Sequence, residues 1–164
     1  EKKKNLAQKI DILSARTIAK FNSQNTGDLL INSGNVFVQK SQQGGSSPVI
    51  RGFEASRVLL IVDGIRMNNA VYRAGHLQNA ITVDQNILER VEVLYGPAST
   101  MYGSDGLGGV LHFRTKSPLL ASGDKLRATG TGFVRYSTVN EEKTGHADVS
   151  LGGKKNCLVA ILYL

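Results

Sequence analysis

The sequence predicts an α+β fold: a small mixed β-sheet with short helices and long loops. Three observations carry this reading. Residues 87–95 alternate at the strand period, with Leu88, Arg90, Glu92 and Leu94 on one face and Glu89, Val91, Val93 and Tyr95 on the other. Val58–Val62 is a continuous apolar run of strand length, as a strand covered on both faces requires. The helical signals are short and sit next to capping residues near the N-terminus.

Taken in order, residues 1–7 form a polar lead-in and 9–13 a first strand. Ser14 caps a short helix over Ala15–Phe21, with Ile18 and Phe21 on its buried face. Asn25-Thr26-Gly27-Asp28 makes the turn and cap of a second helix, 29–33, which Gly34 ends. Residues 35–40 read as a strand and 41–47 as a polar loop. A short strand over 48–52 follows, its proline placing it at an edge or a strand start. Asp63-Gly64 is a two-residue hairpin signal after Val58–Val62, with 65–67 as the returning strand. Asp63 reads as a turn former rather than a metal ligand, because no second ligand stands near it at suitable spacing.

Residues 68–86 form a long irregular segment, and a connection of that length in a compact domain is usually functional. Tyr72, Arg73 and His76 give it aromatic, cationic and imidazole groups. Ligand contact and plain loop solvation, with His76 capping a turn, both fit. Gly96-Pro97 stops the strand at 87–95, since proline has no N–H for a ladder. A knot containing Gly96, Gly103, Gly106, Gly108 and Gly109 leads into a strand over 110–115. It is no phosphate loop, which would end in Gly-Lys-Ser/Thr before a helix. Ser117-Pro118 punctuates the end of this first part, 1–118. Beyond it, 125–138 alternates loosely, 140–143 turns, 146–151 resumes strand character, and 152–156 turns again before an apolar ending.

Composition narrows the function. The chain has 164 residues and a formal net charge of +7. Its lysines are scattered, and no aromatic residues interleave with a basic run, so the charge reads as solvated surface and not as a nucleic-acid site. A single cysteine, Cys157, allows no intrachain disulfide, and no Cys/His cluster has zinc spacing. No apolar run approaches a membrane helix, whereas short alternating barrel strands remain possible. Glu89, Glu92, Asp105, His76 and His112 offer acids and bases, yet none falls into a nucleophile–base arrangement, and no metal or cofactor motif is present.

Three ordered motifs carry a family resemblance: Ile50-Arg51-Gly52-Phe53; 58–65, Val-Leu-Leu-Ile-Val-Asp-Gly-Ile; and Glu89-Arg90-Val91-Glu92-Val93 with Gly96-Pro97, Tyr102-Gly103 and Gly108-Gly109. Over residues 8–118 the chain resembles the plug domain of TonB-dependent outer-membrane receptors. The resemblance implies a plug over 1–118 and, over 119–164, the first strands of an antiparallel transmembrane β-barrel, in a receptor much longer than this chain. It implies an outer-membrane location in a Gram-negative bacterium and energy-coupled uptake of a scarce ligand such as an iron chelate or haem. Apical ligand contacts then fall on Gln42, Gln43, Glu54, Ser56, Tyr72 and Arg73, with His76 adjacent.

The same resemblance makes Arg51 a buried guanidinium paired with carboxylates of the barrel wall; a solvated strand arginine is the plain alternative. Arg90 and Glu92 are further candidates for plug–barrel contact. Family members often carry arginine before Gly-Pro, where this chain has Tyr95. The implied partners are the barrel of the same receptor, a small extracellular ligand, and a TonB-type energy-transducing protein whose binding box is expected before Glu1. A soluble α+β binding module is the alternative function.

Overall fold

The computed structural model describes residues 9–41, 45–54, 57–67, 80, 82–97, 99–103, 106–121, 125–138, 141–154 and 156–163. The chain divides into two units, Glu1–Lys116 and Ser117–Leu164.

The first unit is built on a five-stranded mixed sheet. Its strands are β1 (Ile10–Ser14), β4 (Val58–Val62), β5 (Ile65–Arg66), β6 (Leu88–Tyr95) and β7 (Gly109–Thr115), in the order β1-β6-β7-β4-β5. β4 and β7 run parallel, and the other pairs are antiparallel. Helices α1 (Ala15–Phe21) and α2 (Thr26–Asn32) follow β1. Ser14 and Asn25 cap them, each side chain accepting a backbone N–H of the first turn. Strands β2 (Phe37–Ser41) and β3 (Gly45–Val49) form a separate two-stranded ladder.

Alternation along the strands sorts their side chains onto two faces. Val58, Leu60, Val91, Val93, Leu111 and Phe113 join Ile18, Leu29, Leu30, Val38 and Ile50 in the main core. Leu59, Ile61, Leu94 and Val110 form a second cluster on the opposite face, with Ile10 and Tyr102 packed against it. A core covered on both faces explains why β4 has no polar residue: every other position would otherwise meet water. The Asp63-Gly64 hairpin forms as expected, both residues at positive φ (48° and 90°), as a tight turn of this kind requires.

Four local expectations are corrected. The loop expected over 41–47 is strand at Ser41, the end of β2, and again from Gly45, where β3 begins, and Ser46 and Ser47 are buried. The strand expected over 48–52 ends at Val49, where Ile50 and Phe53 close a tight turn with Arg51 in it. Leu88 does not share a face with Leu94: a register shift between Leu88 and Arg90 carries it to the side of Val91. The second helix starts at Thr26, three residues before its expected first residue, since Asn25 and not Asp28 is the cap. The knot also holds a one-turn helix, α3 (Ser99–Tyr102).

The second unit is an antiparallel sheet of β8 (Arg127–Ser137), β9 (Glu142–Gly152) and β10 (Cys157–Tyr163), ordered β10-β9-β8. Its register gives the two faces different chemistry. One carries Val134, Tyr136, Ala147, Val149, Leu158, Ala160 and Leu162. The other carries Thr131, Phe133, Arg135, Thr144, His146 and Asp148 on β8 and β9, with Val159 and Ile161 beside them on β10. On that polar face His146 stacks on Phe133 with centroids 5.4 Å apart, and its Nε2 lies 3.3 Å from Asp148 Oδ1. The Thr144 hydroxyl donates to Glu142 at 3.0 Å.

Candidate functional site

One end of the five-stranded sheet gathers the glycine knot, the Ile50–Phe53 turn and the chain just before β1. Ile50 and Phe53 exchange two backbone hydrogen bonds of 2.9 Å, which leaves Arg51 and Gly52 as the central residues, at φ 52° and 82°. Glycine takes this region freely, but an arginine there is strained by about 1–2 kcal/mol. Strain of this kind persists where surrounding contacts hold it, and it gathers at functional sites.

The holding contacts are specific. Gly108 donates its N–H to the Arg57 carbonyl at 2.9 Å, and the Gly96 N–H reaches the Gly108 carbonyl at 3.3 Å. A Cβ on Gly108 would stand 2.3 Å from Phe53 Cβ, so the knot lies directly against the turn. Close packing thus requires Gly108 and Gly109, whereas Gly96 and Gly103 are required by their positive φ of 95° and 100°. Gly52, by contrast, faces open space and is required by its φ alone.

Arg51 is exposed in this chain. Its guanidinium carbon lies 5.5 Å from the Tyr95 ring centroid, within cation–π range. Lys9 Nζ lies 4.9 Å from the same centroid, and the Lys9 carbonyl accepts the Tyr95 N–H at 3.1 Å. The Tyr95 hydroxyl donates to the Asn35 carbonyl at 3.2 Å. Burial first, and the neighbouring Asp11 second, push this phenol up to about 12, so it stays a neutral donor. Glu54 follows the turn and is exposed; its carbonyl accepts the Arg57 N–H at 3.2 Å.

Arg90 and Glu92 are brought together, but with each other: Arg90 Nε donates to Glu92 Oε1 at 2.6 Å. That bond raises the Arg90 pKa. They sit away from Arg51, since Glu92 and Tyr95 are three residues apart on β6, roughly 10 Å. His112 is the cross-strand partner of Glu92, with Nδ1 3.7 Å from Glu92 Oε2, and Tyr102 meets its ring edge-on at 6.1 Å. Burial, and then the Arg114 charge, hold His112 below its ordinary pKa. Gln42, Gln43, Ser56, Tyr72, Arg73 and His76 lie outside the described residues. Among the described residues no group of three or more His, Cys, Asp or Glu could hold a metal ion.

Two roles were not foreseen. Asp63 is more than a turn former: it accepts the Thr115 N–H at 3.0 Å and the Thr115 hydroxyl at 2.6 Å, fixing the hairpin to the end of β7. Tyr95 is the ring shared by Lys9 and Arg51, contacts that join residues far apart in sequence. The signal available for it was its place on the Val91–Val93 face, directly before the knot.

The family model for the TonB-dependent receptor plug domain matches residues 2–110. The chain belongs to this family. The vitamin B12 transporter BtuB of Vibrio vulnificus (strain CMCP6) is 44% identical over 84 residues, which are 49% of this chain and 13% of the transporter. Among solved structures, the copper transporter OprC superposes with TM-score 0.73 at 16% identity, over 92% of this chain and 22% of that one. The ferric yersiniabactin uptake receptor FyuA of Yersinia pestis gives 0.71 at 20% identity, over 95% and 24%. These two likenesses are of fold. The plug chain thus spans about a quarter or less of the relatives it matches. The family is one of receptors and transporters, and the plug's setting is the outer membrane of Gram-negative bacteria.

Proposed function

We propose that the first unit is the gate of an energy-coupled outer-membrane receptor and that 119–164 are the first strands of its barrel. The observation that carries the gate reading is the Ile50–Phe53 turn, which holds a strained arginine outward at one end of the sheet. A fixed guanidinium fork grips carboxylate bidentately, so Arg51 suits a lock against an acidic position of a surrounding wall. Arg90 and Glu92, already paired, are weaker candidates for that contact. The barrel reading is supported by the second unit's long antiparallel strands, whose β8 and β9 alternate between an apolar-rich and a polar-rich side, the pattern of strands between lipid and lumen. The domain boundary then falls near Pro118, with the plug over 1–118.

The transported ligand is read as a scarce chelate, an iron complex or haem, contacted by Glu54 and by Gln42, Gln43, Ser56, Tyr72, Arg73 and His76. The relatives include a B12 transporter and a haemophore receptor bound to haem, both of which carry bulky metal complexes. A TonB-type protein, engaging a segment before Glu1, would supply the energy, and the chain itself performs no catalysis. In the full-length receptor, Arg51→Ala is expected to raise passive leak through reconstituted liposomes. Unchanged leak together with unchanged uptake would contradict the lock.

A further inference from the structure

We infer that Tyr95 is a positioning residue that couples the chain entering β1 to the Arg51 turn. The inference rests on the gate reading for its purpose, but its geometry stands apart from it. The Tyr95 ring is held from three directions of the sequence. Its hydroxyl is anchored on Asn35, its N–H on the Lys9 carbonyl, and its π-system lies within reach of both Lys9 Nζ and Arg51 Cζ. Lys9 is in turn steadied by Asp11, whose Oδ2 is 3.4 Å from its ammonium. A ring attracts a cation electrostatically, so it fixes the guanidinium without a carboxylate.

Lys9 is also the residue from which β1 departs, and among the described residues β1 is an edge strand paired only with β6. A displacement of the chain at Lys9 therefore withdraws the acceptor of the Tyr95 N–H and one of the two cations at once. Tyr95, only 7% exposed, then loses two of its supports. The strained turn at Arg51 and Gly52 relaxes once its platform moves, because positive φ at arginine is kept only by its surroundings. Tyr95 thus makes the position of Arg51 depend on the position of Lys9.

The test is hydrogen exchange at the Ile50 and Phe53 amides of the full-length protein in detergent, without ligand. Deleting the chain up to and including Lys9 is expected to speed their exchange about two- to five-fold, the scale of one cation–π contact. Tyr95→Leu alone should do the same, and the deletion should then add nothing. Tyr95→Phe, which keeps the ring, should leave the two amides near their original rate and preserve the response to the deletion. Slow exchange at Leu111 and Phe113 reports that each variant is folded. If Tyr95→Leu fails that check, the deletion and Tyr95→Phe decide the matter alone. An unchanged turn after the deletion, an equal deletion effect with and without the ring, or loss of the response in Tyr95→Phe overturns the coupling. These outcomes leave the gate reading untouched, because that reading is decided by the leak of the Arg51→Ala receptor.

Discussion

At the residue scale the knot is governed by the space available at Gly108. An added methyl would overlap Phe53 Cβ and Cγ, at 2.3 and 2.9 Å, and stand 3.2 Å from the Arg57 carbonyl oxygen. Gly108→Ala is expected to destabilise the unit by about 1–3 kcal/mol, seen as a lower denaturant midpoint at unchanged slope. An unchanged midpoint would mean that the backbone of the Ile50–Phe53 turn shifts aside freely. His112 makes the second prediction. Burial and Arg114 depress its pKa, so folding favours the neutral ring. The unfolded chain binds a proton near pH 6.5, which the native state resists. The resulting stability is present above that pH and is lost as pH falls toward the lower folded value. His112→Leu is expected to flatten the loss of stability between about pH 7 and pH 5. Parallel profiles for the two proteins would contradict the assignment.

At the scale of elements, Asp63 holds the β4–β5 hairpin to the last residue of β7 by two hydrogen bonds. The Thr115 hydroxyl is the main cause of its lowered pKa. Its contribution is therefore present above the ordinary carboxylate pKa of 3.8 and lost as pH falls below it. Asp63→Ala removes both bonds and should free the Thr115 amide to exchange faster, with only a small change in global stability. Equal protection of Thr115 in both proteins would remove this role.

The same hairpin shows what was legible in the sequence. Asp-Gly fixed the turn, and an apolar run with a capped helix fixed β4 and α1 in place, since those signals are local. The Asp63–Thr115 contact spans 52 residues and has no local signature. Leu88 illustrates the other limit: simple alternation cannot reveal the shift at Leu88/Arg90 that turns it to the other face. The left-handed conformation of Arg51 was hidden, because Ile-Arg-Gly-Phe reads equally well as strand and as turn.

At the scale of the whole molecule, the two units obey different rules. The first covers both faces of its central strands with apolar residues, as a soluble core must. The second leaves Val134, Leu158 and Leu162 exposed at 88%, 63% and 60% on one face while the other holds His146 and Asp148. If the second unit belongs to a barrel wall, Val149→Asp in the full-length receptor should reduce its assembly in the outer membrane. Ser150→Asp, on the opposite face, should be tolerated, and equal loss for both would count against the assigned faces. The central claim, that the first unit stoppers the lumen, is tested most directly by single-channel conductance in planar bilayers. The full-length receptor is expected to stay closed, and the receptor lacking residues 9–116 to conduct as a wide, steady pore. Two equally closed proteins, or two equally open ones, would contradict the account.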